Sequence, residues 1–102
     1  MQQLDPLTKF MSGIAGDARI GSTHIALFVA VYDLWLKKGK TESLDIQPKQ
    51  VMKRAKILAR STYVRTIRDL GEWGYLVYEP SYNNKSRSRV RIKIEDNGNG
   101  NS

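Results

Sequence analysis

The spacing of apolar residues predicts four helices followed by a β-hairpin, and the last of these helices has the clearest pattern. Near residues 59–73, Tyr63, Ile67 and Leu70 recur at helical intervals and indicate a buried stripe that ends at Gly74. The opposite face carries small hydroxyls and charged groups: Ser61, Thr62, Arg65, Arg68 and Asp69. Residue 59 is an alanine, so either Ser61 caps this helix or its start is irregular.

A shorter apolar pattern predicts a first helix at about residues 4–16. It consists of Leu4, Leu7, Phe10, Met11 and Ile14. Asp5 and Pro6 suit the start of this helix, and Gly16 suits its end. Two interpretations of its apolar face remain open. The helix either packs against the main body of the domain or serves as an arm that joins two copies into a homodimer.

The segment from His24 to about Lys38 is apolar nearly all the way round, which predicts a helix buried on several sides. Ser22 or Thr23 is expected to cap its start. The densest part of the core is predicted to contain Ile25, Phe28, Val29, Tyr32 and Trp35 or Leu36. His24 is the only histidine and the chain has no cysteine, so we interpret it as a surface residue and not as a metal ligand.

The second half of the chain has the pattern of a helix-turn-helix unit followed by a hairpin. Residues 43–46 predict a very short strand, and a proline suits the first position of a helix at residues 48–56. Residues 75–79 and 90–94 predict two strands. The Pro, Ser and Asn residues between them indicate an exposed turn. Residues 95–102 contain no apolar side chain, and we expect a disordered tail there.

The length of 102 residues favours one domain, which we place at residues 1–94. The absence of cysteine excludes disulfides and thiolate metal sites and favours a reducing, cytoplasmic setting. No signal peptide is evident, and no apolar run approaches the roughly 20 residues of a membrane span, so we expect no membrane association. The formal net charge is +7 and the pI is about 9.9, a balance typical of nucleic-acid-binding domains.

The positive charge is concentrated in two segments that contain no acidic residue, 46–68 and 81–94. The first segment holds seven basic residues and the second holds five. A solvated surface usually mixes both signs, so this segregation favours a surface that binds phosphate groups.

Two short runs of residues resemble the winged helix-turn-helix family, in the form found in small bacterial regulators. They are Arg60-Ser61-Thr62 with Arg65 one turn later, and Leu70 followed by Glu72-Trp73-Gly74-Tyr75-Leu76. The resemblance covers roughly residues 42–94. It implies a mainly α fold with a small antiparallel β-hairpin (α+β), preceded here by an extra N-terminal helix. It also implies a transcriptional regulator of the bacterial cytoplasm, associated with the nucleoid, that binds specific sequences of double-stranded DNA.

In such a domain the helix near residues 59–73 would enter the major groove, and the hairpin at residues 75–94 would form the wing. Guanidinium and hydroxyl groups bind phosphate oxygens and the edges of bases. The predicted DNA-binding residues are Lys49, Lys53, Arg60, Ser61, Thr62, Arg65, Thr66, Arg68, Lys85, Arg87, Arg89 and Arg91.

Other classes of function fit the sequence less well. An enzyme would need a nucleophile with a base, paired carboxylates or a metal cluster, so we expect no catalytic residue, no metal and no cofactor. RNA readers usually display aromatic side chains on an exposed sheet, and Tyr78 and Tyr82 are too few for that. Two alternatives stay open: an accessory DNA-binding protein of a mobile element, acting in excision or replication initiation, and a winged-helix module for protein interaction.

Overall fold

The computed structural model describes residues 5–80 and 88–93, which form four helices and a three-stranded antiparallel sheet. The elements in chain order are α1 (Pro6–Ile14), α2 (Ser22–Lys37), β1 (Leu44–Ile46), α3 (Pro48–Ala55), α4 (Arg60–Glu72), β2 (Leu76–Glu79) and β3 (Ser88–Ile92). The mixed α+β class predicted from the sequence is confirmed. The predicted tail and the tip of the hairpin lie outside the described residues.

Helix α1 packs against the body of the protein through a stack of aromatic rings. The Asp5 carboxylate accepts a hydrogen bond from the Thr8 N–H at 2.9 Å and caps the helix, as the sequence predicts. The ring of Phe10 stacks on that of Phe28, with centroids 3.9 Å apart, and the ring of Tyr75 meets Phe10 edge-on at 5.4 Å. Met11 was expected on the buried face, but 47% of its surface is exposed.

Helix α2 begins differently from the prediction. Its N-cap is Gly21, and Ser22 already lies inside the helix, so the expected cap by Ser22 or Thr23 is wrong. Instead, the His24 side chain folds back, and its Nδ1 accepts a hydrogen bond from the Gly21 N–H at 3.1 Å. The helix ends at Lys37 and Gly39 follows in the left-handed region (φ 89°), which is the conformation that favours glycine there.

The buried side of α2 is also rotated from the predicted one. Phe28 and Trp35 are buried as expected, whereas Val29 and Leu36 are each 40% exposed. The remaining large buried side chains of the helix are Leu27, Val31 and Leu34. Val29 and Leu36 are seven residues apart and therefore share one side of the helix, which is left partly open to solvent. An all-round apolar pattern cannot reveal which side that is.

Strand β3 lies in the centre of the sheet, with β1 and β2 on either side of it. The register pairs Val90 with Leu44 on one neighbour and with Tyr78 on the other. Val90 and Ile92 face the core and are buried, while Arg89 and Arg91 on the other face are exposed, as the alternation predicts. The very short strand predicted near residues 43–46 is confirmed, and the structure adds its pairing with β3.

A tight turn joins α3 to α4. Lys56 adopts the left-handed conformation (φ 62°) and ends α3. Ile57 then points into the core with 7% of its surface exposed, whereas Leu58 is 97% exposed. Helix α4 begins at Arg60, and its N-cap is Ala59, whose backbone is extended and which gives no side-chain hydrogen bond. Ser61 already lies inside the helix, so the suggested cap by Ser61 is wrong.

Within residues 5–80 and 88–93, no helix combines the length and the hydropathy needed to cross a bilayer.

Candidate nucleic-acid interface

The inward face of α4 holds the helix in the core. Tyr63, Ile67 and Leu70 are at most 2% exposed, which confirms the predicted stripe. Thr66 was predicted to contact DNA, and this prediction is wrong because only 2% of its surface is exposed. Residues 63, 66, 67 and 70 follow the i, i+3, i+4, i+7 spacing of one helix face. The sequence therefore carried the signal that Thr66 lies on the buried side.

The outward face of α4 presents charged and hydroxyl groups to solvent. Arg60, Ser61, Arg65 and Arg68 are exposed, and Thr62 is half-buried. None of these three arginines forms a hydrogen bond or an ion pair with another described residue. Lys49 and Lys53 on α3 are exposed in the same unpaired state. Six of the predicted DNA-binding side chains on α3 and α4 are therefore exposed without a partner in the part of the chain that the structure describes: Lys49, Lys53, Arg60, Ser61, Arg65 and Arg68.

Leu58 is a surface residue that the sequence reasoning missed. It lies in the turn before α4, two residues from Arg60, inside a segment without acidic residues. With 97% of its surface in water, it is the most exposed large hydrophobic side chain in the part of the chain that the structure describes. The available signal was the pair Ile57-Leu58 in a tight turn, because a short turn rarely buries two consecutive large side chains.

The N-terminal turn of α4 adds a positive electrostatic field to this surface. The first N–H groups of a helix have no partner within the helix, and the helix dipole is positive at this end. The N-cap residue of α4, Ala59, offers these groups no side-chain hydrogen bond. Arg60 is the first residue of the helix and adds a positively charged side chain to the same end.

The C-terminal part of α4 is tied to α2 through His24. The Nε2 atom of His24 lies 2.9 Å from Asp69 Oδ2. Because Nδ1 accepts from the Gly21 N–H, the neutral tautomer with its proton on Nε2 satisfies both bonds. The side chains of His24 and Asp69 are only 15% and 25% exposed. His24 was predicted to be a surface residue and Asp69 to point outward, and both predictions are wrong.

A second set of contacts holds the end of α4 through residues between α1 and α2. The Asp17 carboxylate accepts hydrogen bonds from the Arg19 guanidinium at 2.8 and 2.9 Å and from the Tyr75 hydroxyl at 2.5 Å. The Arg19 hydrogen bond, followed by that of Tyr75, holds the pKa of Asp17 well below its usual range. The Arg19 guanidinium also lies 4.5 Å from the centre of the Trp73 ring, in a cation–π contact.

The predicted basic residues of the hairpin differ in their surroundings. Arg89 Nε lies 3.3 Å from Asp45 Oδ1 across the β1–β3 pair, and both side chains are more than half exposed. Arg91 is exposed and forms no hydrogen bond or ion pair with a described residue. Lys85 and Arg87, also predicted to bind DNA, lie outside the described residues.

No family model, no curated protein and no solved structure matches the chain. In the part of the chain that the structure describes, no three His, Cys, Asp or Glu side chains come together in a way that could hold a metal ion. Inferences about function therefore rest on the geometry and charge of the surface itself.

Proposed function

We propose that this chain is a winged helix-turn-helix domain that binds double-stranded DNA sequence-specifically and acts as a transcriptional regulator. The observation that carries the proposal is the first half of α4, where Arg60 and Arg65 are exposed and form no hydrogen bond or ion pair within residues 5–80 and 88–93. They belong to a segment, residues 46–68, that has no acidic residue. A helix of about 10–12 Å diameter fits the major groove, whose width is about 12 Å.

The order and packing of the elements support this proposal. Helices α3 and α4 contact each other across a turn of four residues, 56–59, as expected of a helix-turn-helix unit. The antiparallel strands β2 and β3 follow α4 directly, as expected of a wing. The buried stripe of α4 packs toward α2, which leaves its basic face turned away from the core.

The exposed side chains suggest a division of roles. Arg60, Ser61 and Arg65 lie on the first two turns of α4, where a recognition helix meets base edges. Arg65 and Arg60 have the guanidinium fork that pairs with the O6 and N7 atoms of guanine. Lys49 and Lys53, one turn apart on α3, are suited to phosphate contacts that add affinity without sequence preference.

Leu58 fits the same surface as an apolar base contact. Its position before the first turn of α4 would bring it to the groove together with Arg60. The 5-methyl group of thymine is the apolar feature that the major groove displays. Contact with it would cover a side chain that is otherwise 97% exposed.

The central test is binding of defined duplexes by matched variants. A duplex selected by the protein from a random pool would be compared with its scrambled sequence by fluorescence anisotropy. Arg60→Ala and Arg65→Ala should each cost about 1–3 kcal/mol on the selected duplex and relax the preference at one base pair. Lys38→Ala removes the same charge from an exposed position outside this surface and serves as the control. Unchanged binding by both arginine variants would refute the role of α4.

Salt titrations separate phosphate contacts from base contacts. If about six phosphates are neutralised, the slope of log affinity against log salt should be near −5. The double change Lys49→Ala and Lys53→Ala should make this slope shallower by about 2 and weaken both duplexes alike. Leu58→Ala should weaken only the selected duplex and leave the slope unchanged, because its contact releases no counterions. A protein-interaction module would instead show no saturable binding to any duplex.

A further inference from the structure

A groove of about 780 Å³ lies between α1, residues 41–42 and the end of the β2–β3 hairpin that adjoins Gly74. Its apolar lining comes from both sides. Phe10 belongs to α1, and Tyr75, Val77 and Ile92 belong to the hairpin side. Small-molecule sites typically occupy roughly 300–1,000 Å³ and combine an apolar lining with a few polar groups. The groove is formed by different segments from the basic face of α4.

The charged groups around the groove are mostly positive. Among the described residues that line it, Lys9, Arg91 and Lys93 are basic and Glu42 is the one carboxylate. Arg91 and Lys93 are exposed, and neither forms a hydrogen bond or an ion pair with a described residue. As alternate residues of an extended chain, their Cα atoms are about 6.6 Å apart, so both long side chains can reach one anion.

The position of the Lys93 ammonium links this charge to the apolar part of the groove. A Cβ atom built on Gly74 would lie 3.7 Å from Lys93 Nζ, so the ammonium lies close to the backbone two residues before β2. Tyr75 is the next residue, and its ring also borders Gly13 of α1. A ligand would therefore find a cation and an aromatic ring within the same groove.

We propose that this groove binds a small soluble amphipathic anion: a carboxylate held by Arg91 and Lys93, attached to an apolar chain or ring that covers Tyr75 and Val77. A phosphate of a duplex would satisfy the two cations, but it would bring no apolar group to the lining. Burial of the apolar part of the ligand against the apolar lining would drive binding. Charge-assisted hydrogen bonds from the two basic side chains would give selectivity for the anion.

Titration of the full-length, ¹⁵N-labelled protein with octanoate tests the proposal by nuclear magnetic resonance. Saturable shifts are expected for amides of residues 9–13, 74–77 and 91–93, which belong to the three walls nearest the ligand. Octanamide has the same shape without the charge and should bind about tenfold more weakly. Acetate has the charge without the apolar chain and should not saturate the site.

Matched variants locate the anion site. The double change Arg91→Gln and Lys93→Gln should weaken octanoate about tenfold. Lys38→Gln with Lys56→Gln removes the same total charge at exposed positions that do not line the groove and should leave binding unchanged. Equal affinity for octanoate and octanamide, shifts confined to other residues, or no saturation below the concentration at which octanoate forms micelles would each overturn the proposal.

Discussion

The two ends of α4 use their polar side chains in opposite ways. At the N-terminal end, here called the open end, Leu58, Arg60, Ser61 and Arg65 are exposed and the arginines have no partner among the described residues. At the C-terminal end, here called the anchored end, Asp69, Trp73 and Tyr75 are engaged in contacts inside the protein, whereas the neighbouring Arg68 and Glu72 are exposed. These contacts are His24 with Asp69, Arg19 with Trp73, and Asp17 with Tyr75.

This difference separates the part of the helix that stabilises the fold from the part that can recognise a ligand. A side chain whose hydrogen bonds are satisfied within the protein gives up interaction energy if it turns to a partner. An arginine without such a partner gives up hydration and side-chain freedom, but no hydrogen bond within the protein. We infer that the anchored end fixes the direction of α4, so that the open end is presented in a defined orientation.

The largest expected effect comes from Phe28→Ala. The change removes the ring on which Phe10 stacks and so weakens the support of Tyr75 beside the anchored end. Truncation of a buried phenylalanine typically costs about 3–5 kcal/mol, enough to unfold a domain of this size in part. Urea denaturation would measure the loss. Val29→Ala, at the adjacent 40%-exposed position, is the control and should cost far less.

The next effect is expected for His24→Ala, which breaks the bond to Asp69 and the bond from the Gly21 N–H. The loss should be about 1–2 kcal/mol, because both groups are partly buried and one partner is charged. Urea denaturation of His24→Ala, of Asp69→Ala and of the double variant gives the interaction free energy between the two side chains. Arg65→Ala at the open end should leave stability within about 0.5 kcal/mol of the parent protein. If Arg65→Ala lowered the free energy of unfolding as much as His24→Ala does, the distinction between the open and the anchored end would be wrong.

Tyr63 lies on the buried side of α4 at the open end, and its substitution is expected to raise the free energy of unfolding. Its hydroxyl is buried without a hydrogen-bond partner among the described residues, and burial raises the pKa of Tyr63. Tyr63→Phe removes the unsatisfied hydroxyl and keeps the ring, so the free energy of unfolding should rise by about 1 kcal/mol. Thermal and urea unfolding would measure the gain. A loss of stability would show that the hydroxyl has a favourable interaction after all.

The smallest effect is expected for Asp17→Asn, since ion pairs with an exposed partner contribute little. The pKa of Asp17 is lowered in the folded protein by Arg19 and Tyr75. A lowered pKa contributes stability that is present above the ordinary value of 3.8 and is lost as the pH falls below it. Asp17→Asn should therefore flatten the decline of the melting temperature below about pH 4. If the melting temperature of Asp17→Asn fell with pH as steeply as that of the parent protein, other carboxylates would be responsible for the sensitivity to acid.

Much of the fold could be predicted because each element carries its own local pattern. The strict alternation of Val90 with Ile92 identified the core side of β3, and Pro48 identified the start of α3. The stripe of Tyr63, Ile67 and Leu70 identified the inward side of α4. These signals are strong because burial on one side imposes a period that depends only on the element itself.

The candidate site could be predicted only in part. The exposed arginines of α4 follow from its amphipathic pattern, whereas Leu58 does not, because hydrophobicity alone suggests burial. His24 and Asp69 are 45 residues apart in the chain, and nothing local in the sequence pairs them. The assignment to the winged helix-turn-helix family and the DNA contacts themselves stay predictions for the binding experiments.

The sequence by itself determined where the helices and strands lie, which side of α4 is buried, and that its basic residues gather in segments without acidic ones. Only the tertiary structure decided which side of α2 is covered, that β1 pairs with β3, and which polar side chains of α4 are engaged. The physical reason is the range of the interactions. Periodicity and capping act within a few residues, but burial of Val29 or pairing of Asp69 depends on which distant element packs there.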